Sequence, residues 1–547
     1  MSNLRIAYRT PEAVHFVTGP TELKEVAAHS IEASSLEYSA DTSFYAVADA
    51  AGVTIYTTAT HKQKLRIECG KGIQAVAFSP AGTYLSTFQR PSKGADGIAE
   101  KNLKVWNLND GSEAFALTQK AFNRDNWPNI QFTPDDAIAV HMVTNTLHAY
   151  STTNFSEGPK IKFPVKGIAG FAVSPGTAPG KDPIVAVYVP EAKGSPGHIA
   201  LYLMSPGVAQ GSATPIARKS FFRANSARFF WASTGSAVLV LTASDVDATN
   251  QSYYGEQKLY FLTADGKSDL AVPLPKEGPV HDVQWNPRGD CFVTVAGFMP
   301  AKSTVFTSAC VPKFDLGSGP YSTARWNTFG RFLVLAGFGN LPGDLAFFDK
   351  KADGKLKPMG TSRAENGVTA DWSPCGRYLL AATIAPRLRV DNGFQVFKYD
   401  GTLLLKEKKD VMYEARWEPE PEGKYEDKPQ SPRAAGGAGA GNDARAAAVA
   451  MPPQPVKASG YVPPHLRNNP AAAAAAKASF CLARDPNDKG GKIPGVAATV
   501  RSVGAVAAGL PPGAAPPESK AASKNAKRRA AAAAKKKAEE GVAGLKL

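Results

Sequence analysis

The sequence predicts an all-β chain: a nine-bladed β-propeller followed by a largely disordered basic tail that ends in a short α-helix. Three observations point there. A unit of one blade's length recurs, tight-turn residues fall at fixed places within it, and the composition changes abruptly beyond residue 420.

The clearest copy of the unit runs from Asp371 to Leu405. A short apolar stretch ends at Trp372, and Ser373-Pro374-Cys375-Gly376 comes next. Proline suits the second position of a type I turn and glycine its last. The chain returns through the apolar run Arg377 to Ile384, crosses a loop from Ala385 to Asp391, and re-enters as Phe394 to Tyr399 with period-two alternation. Asp400-Gly401 then closes a second hairpin, because a type I′ turn needs positive φ at both central residues. Four strands in succession make a β-meander.

An aromatic or apolar residue followed by such a turn marks each copy. The marks fall at Tyr38, Phe78, Phe132, Val173, Trp231, Trp285, Trp326, Trp372 and Trp417, spaced by 40 to 58 residues. That is the length of a four-stranded propeller blade with some long loops. Tyr38, Val173 and Trp417 are the weakest marks, so rings of seven or eight blades stay open at this point. The N-terminal runs Leu4 to Tyr8 and Val14 to Val17 precede the first complete unit. A ring must close, so this segment is expected to pair with the last blade and cover its open edge. The ring is thereby assigned to residues 1–420.

Charge separates the ring from the C-terminal part of the chain. The whole carries a net +15, and from Pro421 onward Lys and Arg number 20 against 9 Asp and Glu, leaving 43 against 39 before it. Residues 421–519 are dominated by Ala, Gly and Pro, with too few large apolar side chains to offset ordering entropy. Within them, Tyr461-Val462-Pro463-Pro464-His465-Leu466-Arg467 reads as a short docking motif carried by Tyr461, Pro463, Pro464, Leu466 and Arg467, or as a plain polyproline linker. Residues 520–541 are mostly Ala, Lys, Arg and Glu, strong helix formers with no apolar stripe. There, Lys524, Lys527, Arg528, Arg529, Lys535, Lys536 and Lys537 suit the phosphates of a polyanion, or a solvated tail or nuclear address.

Little in the sequence suggests catalysis. Five cysteines, Cys69, Cys291, Cys310, Cys375 and Cys481, include no close pair, which argues against a disulfide framework or a paired-cysteine metal site. Eight histidines include no metal-ligand spacing. Gly176 to Asp182 is one residue short of a phosphate loop and ends in Asp where a magnesium ligand belongs. No cofactor is expected. The start lacks an apolar signal core, and outside Ala tracts no run of eighteen apolar residues occurs, so a soluble, cytoplasmic chain without a membrane partner is expected.

Three stretches resemble the eukaryotic translation initiation factor 2A family: Gly297 to Lys302, Ala336 to Asp349, and Ala385 to Phe394. The last is the most specific, because a propeller by itself explains none of Ala385-Pro386-Arg387-Leu388-Arg389. The propeller-bearing component of initiation factor 3 is a related ring, but it carries an RNA-recognition domain ahead of it, for which no room exists before Tyr38. The resemblance implies a nine-bladed ring and a non-enzymatic, monomeric factor that binds the small ribosomal subunit. It further implies GTP-independent, codon-directed placement of initiator methionyl-tRNA, with mRNA and other initiation factors as partners of the tail. Arg387 and Arg389 are the best ring candidates for RNA, since they bracket a leucine in a loop and guanidinium forks suit phosphate; salt bridges to neighbouring blades are the alternative use for them. The competing reading is a scaffold for proteins alone, including a role within the initiation factor 3 assembly.

Overall fold

The computed structural model describes residues 4–431 except 71, 95–96, 121, 123, 193, 206–213, 245–254, 352–353 and 386. Over them the chain forms nine four-stranded antiparallel sheets. Blades I to VIII occupy residues 35–67, 73–117, 130–164, 170–221, 226–271, 280–319, 323–363 and 369–408. Each of the nine sequence marks is the last residue of its blade's first strand, including the three weak ones.

Blade IX is composite. Its first strand, Glu414–Trp417, comes from the C-terminal end of the ring, and Leu4–Arg9, Val14–Gly19 and Glu25–His29 supply the rest. Ile6 lies opposite Trp417 and Arg9 opposite Glu414 in an antiparallel ladder. The N-terminal segment therefore closes the ring as expected, but with three strands. The third was not legible in the sequence because Glu25 and Val26 face solvent and its apolar content is low.

The core lies between blades. Nine apolar clusters among the described residues each join two neighbouring blades, from Leu36 and Tyr45 against Phe16 at one end to Trp417 against Leu380 and Phe394 at the other. This arrangement explains the recurring tryptophan. The indole fills the cleft behind its own blade and donates to the first strand of the blade before it: Trp285 Nε1 to Phe230 O at 2.8 Å and Trp372 Nε1 to Arg325 O at 3.0 Å. Trp326 and Trp417 keep the packing without such an acceptor.

The turn glycine is equally constrained. Gly330 has φ +66°, and a Cβ there would sit 2.1 Å from Asn286 Oδ1 of the previous turn, whose Nδ2 donates to Gly330 O at 2.8 Å. Successive turns are thus clasped to one another. Because the strands alternate direction, every blade places its first and third turns on one side, here the turn face. Its second loop and the connections between blades lie on the other, the loop face. The imperfect phosphate-loop stretch is the first turn of blade IV, where Gly180 N donates to Asp135 Oδ2 at 3.0 Å, so it is structural.

The ring extends past residue 420. Residues 418–431 run back across the turn face, whereas the sequence assigned 421 onward to the disordered tail. Composition misled there, because this segment is held by polar contacts and not by an apolar stripe.

Where it leaves Trp417, Glu418 is buried, with Oε1 2.5 Å from Arg5 Nη2 and Oε2 3.7 Å from His61 Nε2. His61 Nδ1 meets the Tyr45 hydroxyl at 3.1 Å, and that hydroxyl meets His29 Nε2 at 2.7 Å. Burial pushes the Glu418 carboxyl up to about 7 against the pull of Arg5, and burial with the Arg5 charge brings His61 down to about 4. The two act on stability with opposite sign. A raised carboxyl contributes stability below its unfolded value that is lost as pH rises through about 7. A lowered imidazole contributes stability above its unfolded value that is lost as pH falls through about 4. Between those limits they offset. Relative to the parent chain, Glu418→Gln is expected to make the melting temperature fall more steeply on acidification from pH 6.5 to 4, and His61→Gln to make it fall more steeply as pH rises from 4.5 to 7. Parallel curves for the two variants would show that this pair does not titrate with folding.

Candidate functional site

The three stretches singled out in the sequence contain the second loops of blades VI, VII and VIII, consecutive around the ring and all on the loop face, with flanking strand residues. In blade VI the loop between Cys291–Ala296 and Ala301–Thr307 is tied to the connection before the blade. Gly297 N donates to Pro279 O at 2.9 Å, Phe298 N to Glu277 O at 3.0 Å, and Lys276 Nζ to Pro300 O at 2.7 Å. With its backbone fixed from behind, this loop presents Phe298 and Met299 to solvent, 36% and 41% exposed.

In blade VII the loop folds around glycine. Gly343 has φ +90°, and a Cβ there would lie 2.1 Å from Ala364 O, so the chain can pass only without a side chain. Phe338 is buried beneath the loop, and its N and O both bond to Ser322 Oγ at 3.0 and 3.1 Å. The tip residue Asn340 is thereby held toward blade VIII.

In blade VIII the loop is built on buried Asn392. Its Nδ2 donates to Leu388 O at 2.8 Å and its Oδ1 accepts from Met412 N at 3.2 Å. Arg387 is exposed and reaches back to blade VII, with Nη2 3.4 Å from Asn340 Oδ1. This contact joins neighbouring blades, but through a neutral amide and not a carboxylate, so the guanidinium charge is not cancelled. Arg389 and Val390 are exposed beside it, and Val411 stands on the connection that comes after the blade. The face thus offers two arginines among exposed apolar side chains on loops whose backbones are pinned.

Asn340, Asn392 and Lys276, which set these loops, were not legible as such. An asparagine or lysine in a loop has no pattern until its acceptor is known. Lys524, Lys527, Arg528, Arg529, Lys535, Lys536 and Lys537, and the motif Tyr461, Pro463, Pro464, Leu466 and Arg467, lie outside the described residues. Among the described residues no group of three or more His, Cys, Asp or Glu could hold a metal ion, and Cys69, Cys291, Cys310 and Cys375 are buried free thiols. Burial pushes the Cys69 thiol up to about 11 and those of Cys291 and Cys310 to about 12. No helix among the described residues is long and apolar enough to cross a membrane.

Fold and loops together define a large β-propeller protein whose distinguishing residues are gathered on one side of three adjacent blades. Comparison with known proteins gives the family. Residues 219–415 match the family described as "Eukaryotic translation initiation factor eIF2A". Eukaryotic translation initiation factor 2A of Schizosaccharomyces pombe is 36% identical over 420 residues, covering 76% of this chain and 70% of that protein. The Caenorhabditis elegans protein of the same name is 33% identical over 391 residues, covering 70% and 66%. A solved structure titled "Crystal structure of the eukaryotic initiation factor" superposes with a TM-score of 0.68 at 34% identity, covering 77% of this chain and 99% of that one. The chain belongs to the eukaryotic translation initiation factor 2A family. It spans about half the length of the Dictyostelium discoideum and Drosophila melanogaster relatives it matches.

Proposed function

We propose that this protein is a non-enzymatic translation initiation factor that binds the small ribosomal subunit through the loop face of blades VI to VIII and promotes GTP-independent, codon-directed placement of initiator methionyl-tRNA in the cytoplasm. The observation that carries the reading is the convergence of all three family-bearing stretches on consecutive loops of one face. A propeller by itself explains none of Ala385 to Arg389, so the position of the three loops side by side argues for a shared surface. Arg387 and Arg389 supply phosphate contacts there. The basic tail adds an electrostatic tether to ribosomal RNA, tRNA or mRNA, and Tyr461 to Arg467 serves as a docking segment for other initiation factors.

The test is cosedimentation of the full chain with purified small ribosomal subunits, with and without charged initiator tRNA. Arg387→Ala combined with Arg389→Ala is expected to weaken binding by about tenfold, as for two phosphate contacts carrying roughly 0.7 kcal/mol each. Both side chains are exposed, so the melting temperature should not move. Binding unchanged by the double variant removes this face from the interface.

A second reading rests on Phe298, Met299, Val390 and Val411, which expose apolar surface on the same face. Such a rim suits a protein partner within a larger initiation assembly. Loss of binding on Phe298→Ser with Met299→Ser, independent of salt and of the two arginines, would favour it.

A further inference from the structure

The segment that crosses the turn face is held by arginines from three consecutive first turns, those of blades VI, VII and VIII. Arg288 Nη2 lies 2.9 Å and Arg331 Nη1 3.8 Å from Asp427 Oδ2. Arg377 Nη1 donates to Lys428 O at 3.1 Å and Pro429 O at 2.6 Å, while its Nη2 donates to Ser431 Oγ at 2.8 Å. Each guanidinium is also fixed by the ring itself. Arg288 Nε donates to Phe329 O at 2.7 Å, Arg331 Nε faces Asp349 Oδ1 at 3.2 Å, and Arg377 lies over the Tyr399 ring at 4.2 Å. The Tyr399 hydroxyl accepts Ser431 N at 2.8 Å. Ser431 is thus held at its amide and its hydroxyl against a preoriented, permanently charged fork.

The sequence around Ser431 adds a second, independent observation. It reads Ser431-Pro432-Arg433, a serine followed directly by proline and then by a base. Eight other Ser or Thr precede proline: Ser79, Thr133, Ser174 and Ser373 are buried in first turns, at 2% exposure or less, while Thr10, Ser195, Ser205 and Thr214 are half-buried or exposed, but none of the eight has a base after the proline. Ser431 is exposed, on an extended segment, and its oxygen already touches a guanidinium.

We propose that Ser431 is a phosphoacceptor for a proline-directed protein kinase and that its phosphate locks this strap onto the ring through Arg377. In the transfer, Ser431 Oγ bonds to the γ-phosphorus of ATP, the bond to the β–γ bridging oxygen breaks, ADP leaves, and the hydroxyl proton passes to the kinase's base and then to solvent. A neutral acceptor on Arg377 becomes one of nearly two negative charges, and a charge-assisted bond to a guanidinium is roughly twice as strong as a neutral one. Carboxylates on the same blades are already partnered, Asp349 by Arg331 and Lys351 and Asp400 by Lys398. The proposal is independent of the RNA-binding reading and concerns the other face.

The full chain incubated with a proline-directed kinase and ATP is expected to carry phosphate on the peptide containing Ser431, located by tandem mass spectrometry and absent in Ser431→Ala. Phosphate on other serines with none on Ser431 overturns the site. Hydrogen exchange over residues 424–431 then reads the lock: the phosphorylated chain should exchange about tenfold more slowly, and Arg377→Ala should remove that protection while leaving Ser431 phosphorylated. Equal or faster exchange after phosphorylation overturns the lock. Should Arg377→Ala lower the ring's own melting temperature, Tyr399→Phe serves instead; it removes only the acceptor for Ser431 N and should weaken protection in both states.

Discussion

Removal of residues 1–10 is expected to lower the melting temperature by more than about 10 °C and to broaden the transition, measured by calorimetry on the full chain and the truncated one. Leu4–Arg9 is the second strand of blade IX, between Glu414–Trp417 and Val14–Gly19, so its loss breaks two ladders at once. Leu4 and Ile6 are fully buried and Tyr8 nearly so; each such apolar side chain contributes roughly 1.5–3 kcal/mol. Arg5 leaves with them, and Glu418 then keeps a buried carboxyl without the guanidinium that faced it. Together these approach the whole stability of an ordinary domain, about 5–15 kcal/mol. A ring differs from a solenoid here, because the lost strand is what bonds its two ends. Glu414–Trp417 and Val14–Gly19 would be left with unpaired strand edges, so aggregation on heating is the second expected sign. An unchanged melting temperature would mean that Val14–Gly19 slides in to pair with Glu414–Trp417 and that closure is not specific to this register.

What made the ring legible was the physics of its turns. Trp285, Trp326 and Trp372 recur because each indole fills one inter-blade cleft, and Gly330 and Gly376 recur because positive φ and the neighbouring turn's asparagine leave no room for a side chain. Both demands are local, so both leave a mark at fixed spacing. The weak marks, Tyr38, Val173 and Trp417, still end first strands, because an apolar side chain suffices for the cleft. The candidate face was legible only in part. Arg387 and Arg389 stood out as cations in a loop, but the partners that orient the loop, Asn340 and Asn392, become meaningful only when strands far apart in the chain lie side by side. The strap was invisible for a related reason. Its hold on the ring is a set of arginines, Arg288, Arg331 and Arg377, that sit in three successive turns and look like ordinary surface charge until something lies across them.

That strap changes where the tail should be cut. A chain ending at 431, not at 420, keeps Asp427, Gln430 and Ser431 on their partners and so tests the tail without disturbing the turn face. Compared with the full chain, it is expected to bind single-stranded RNA or small ribosomal subunits with a much shallower dependence on salt. Before residue 421 the chain holds 43 Lys and Arg against 39 Asp and Glu, so the ring has little field of its own, whereas seven cations fall between Lys524 and Lys537. Each phosphate neutralised on a single strand contributes about 0.7 to the log–log slope, so four to seven contacts make a slope of roughly 3 to 5. From about 50 to about 200 mM salt the full chain should then lose on the order of a hundredfold or more in affinity, and the chain ending at 431 only the few-fold loss that Arg387 and Arg389 account for. The difference between the two chains should vanish at high salt, because a tether of this kind raises encounter and local concentration without fixing register on the RNA. Equal slopes would remove the tail from RNA binding and leave Tyr461 to Arg467 as its remaining reason to be read as a partner segment. A steep slope retained by the chain ending at 431 would instead place the polyanion on the ring, where the loop-face arginines and the turn-face row at Arg288, Arg331 and Arg377 could be separated by substitution.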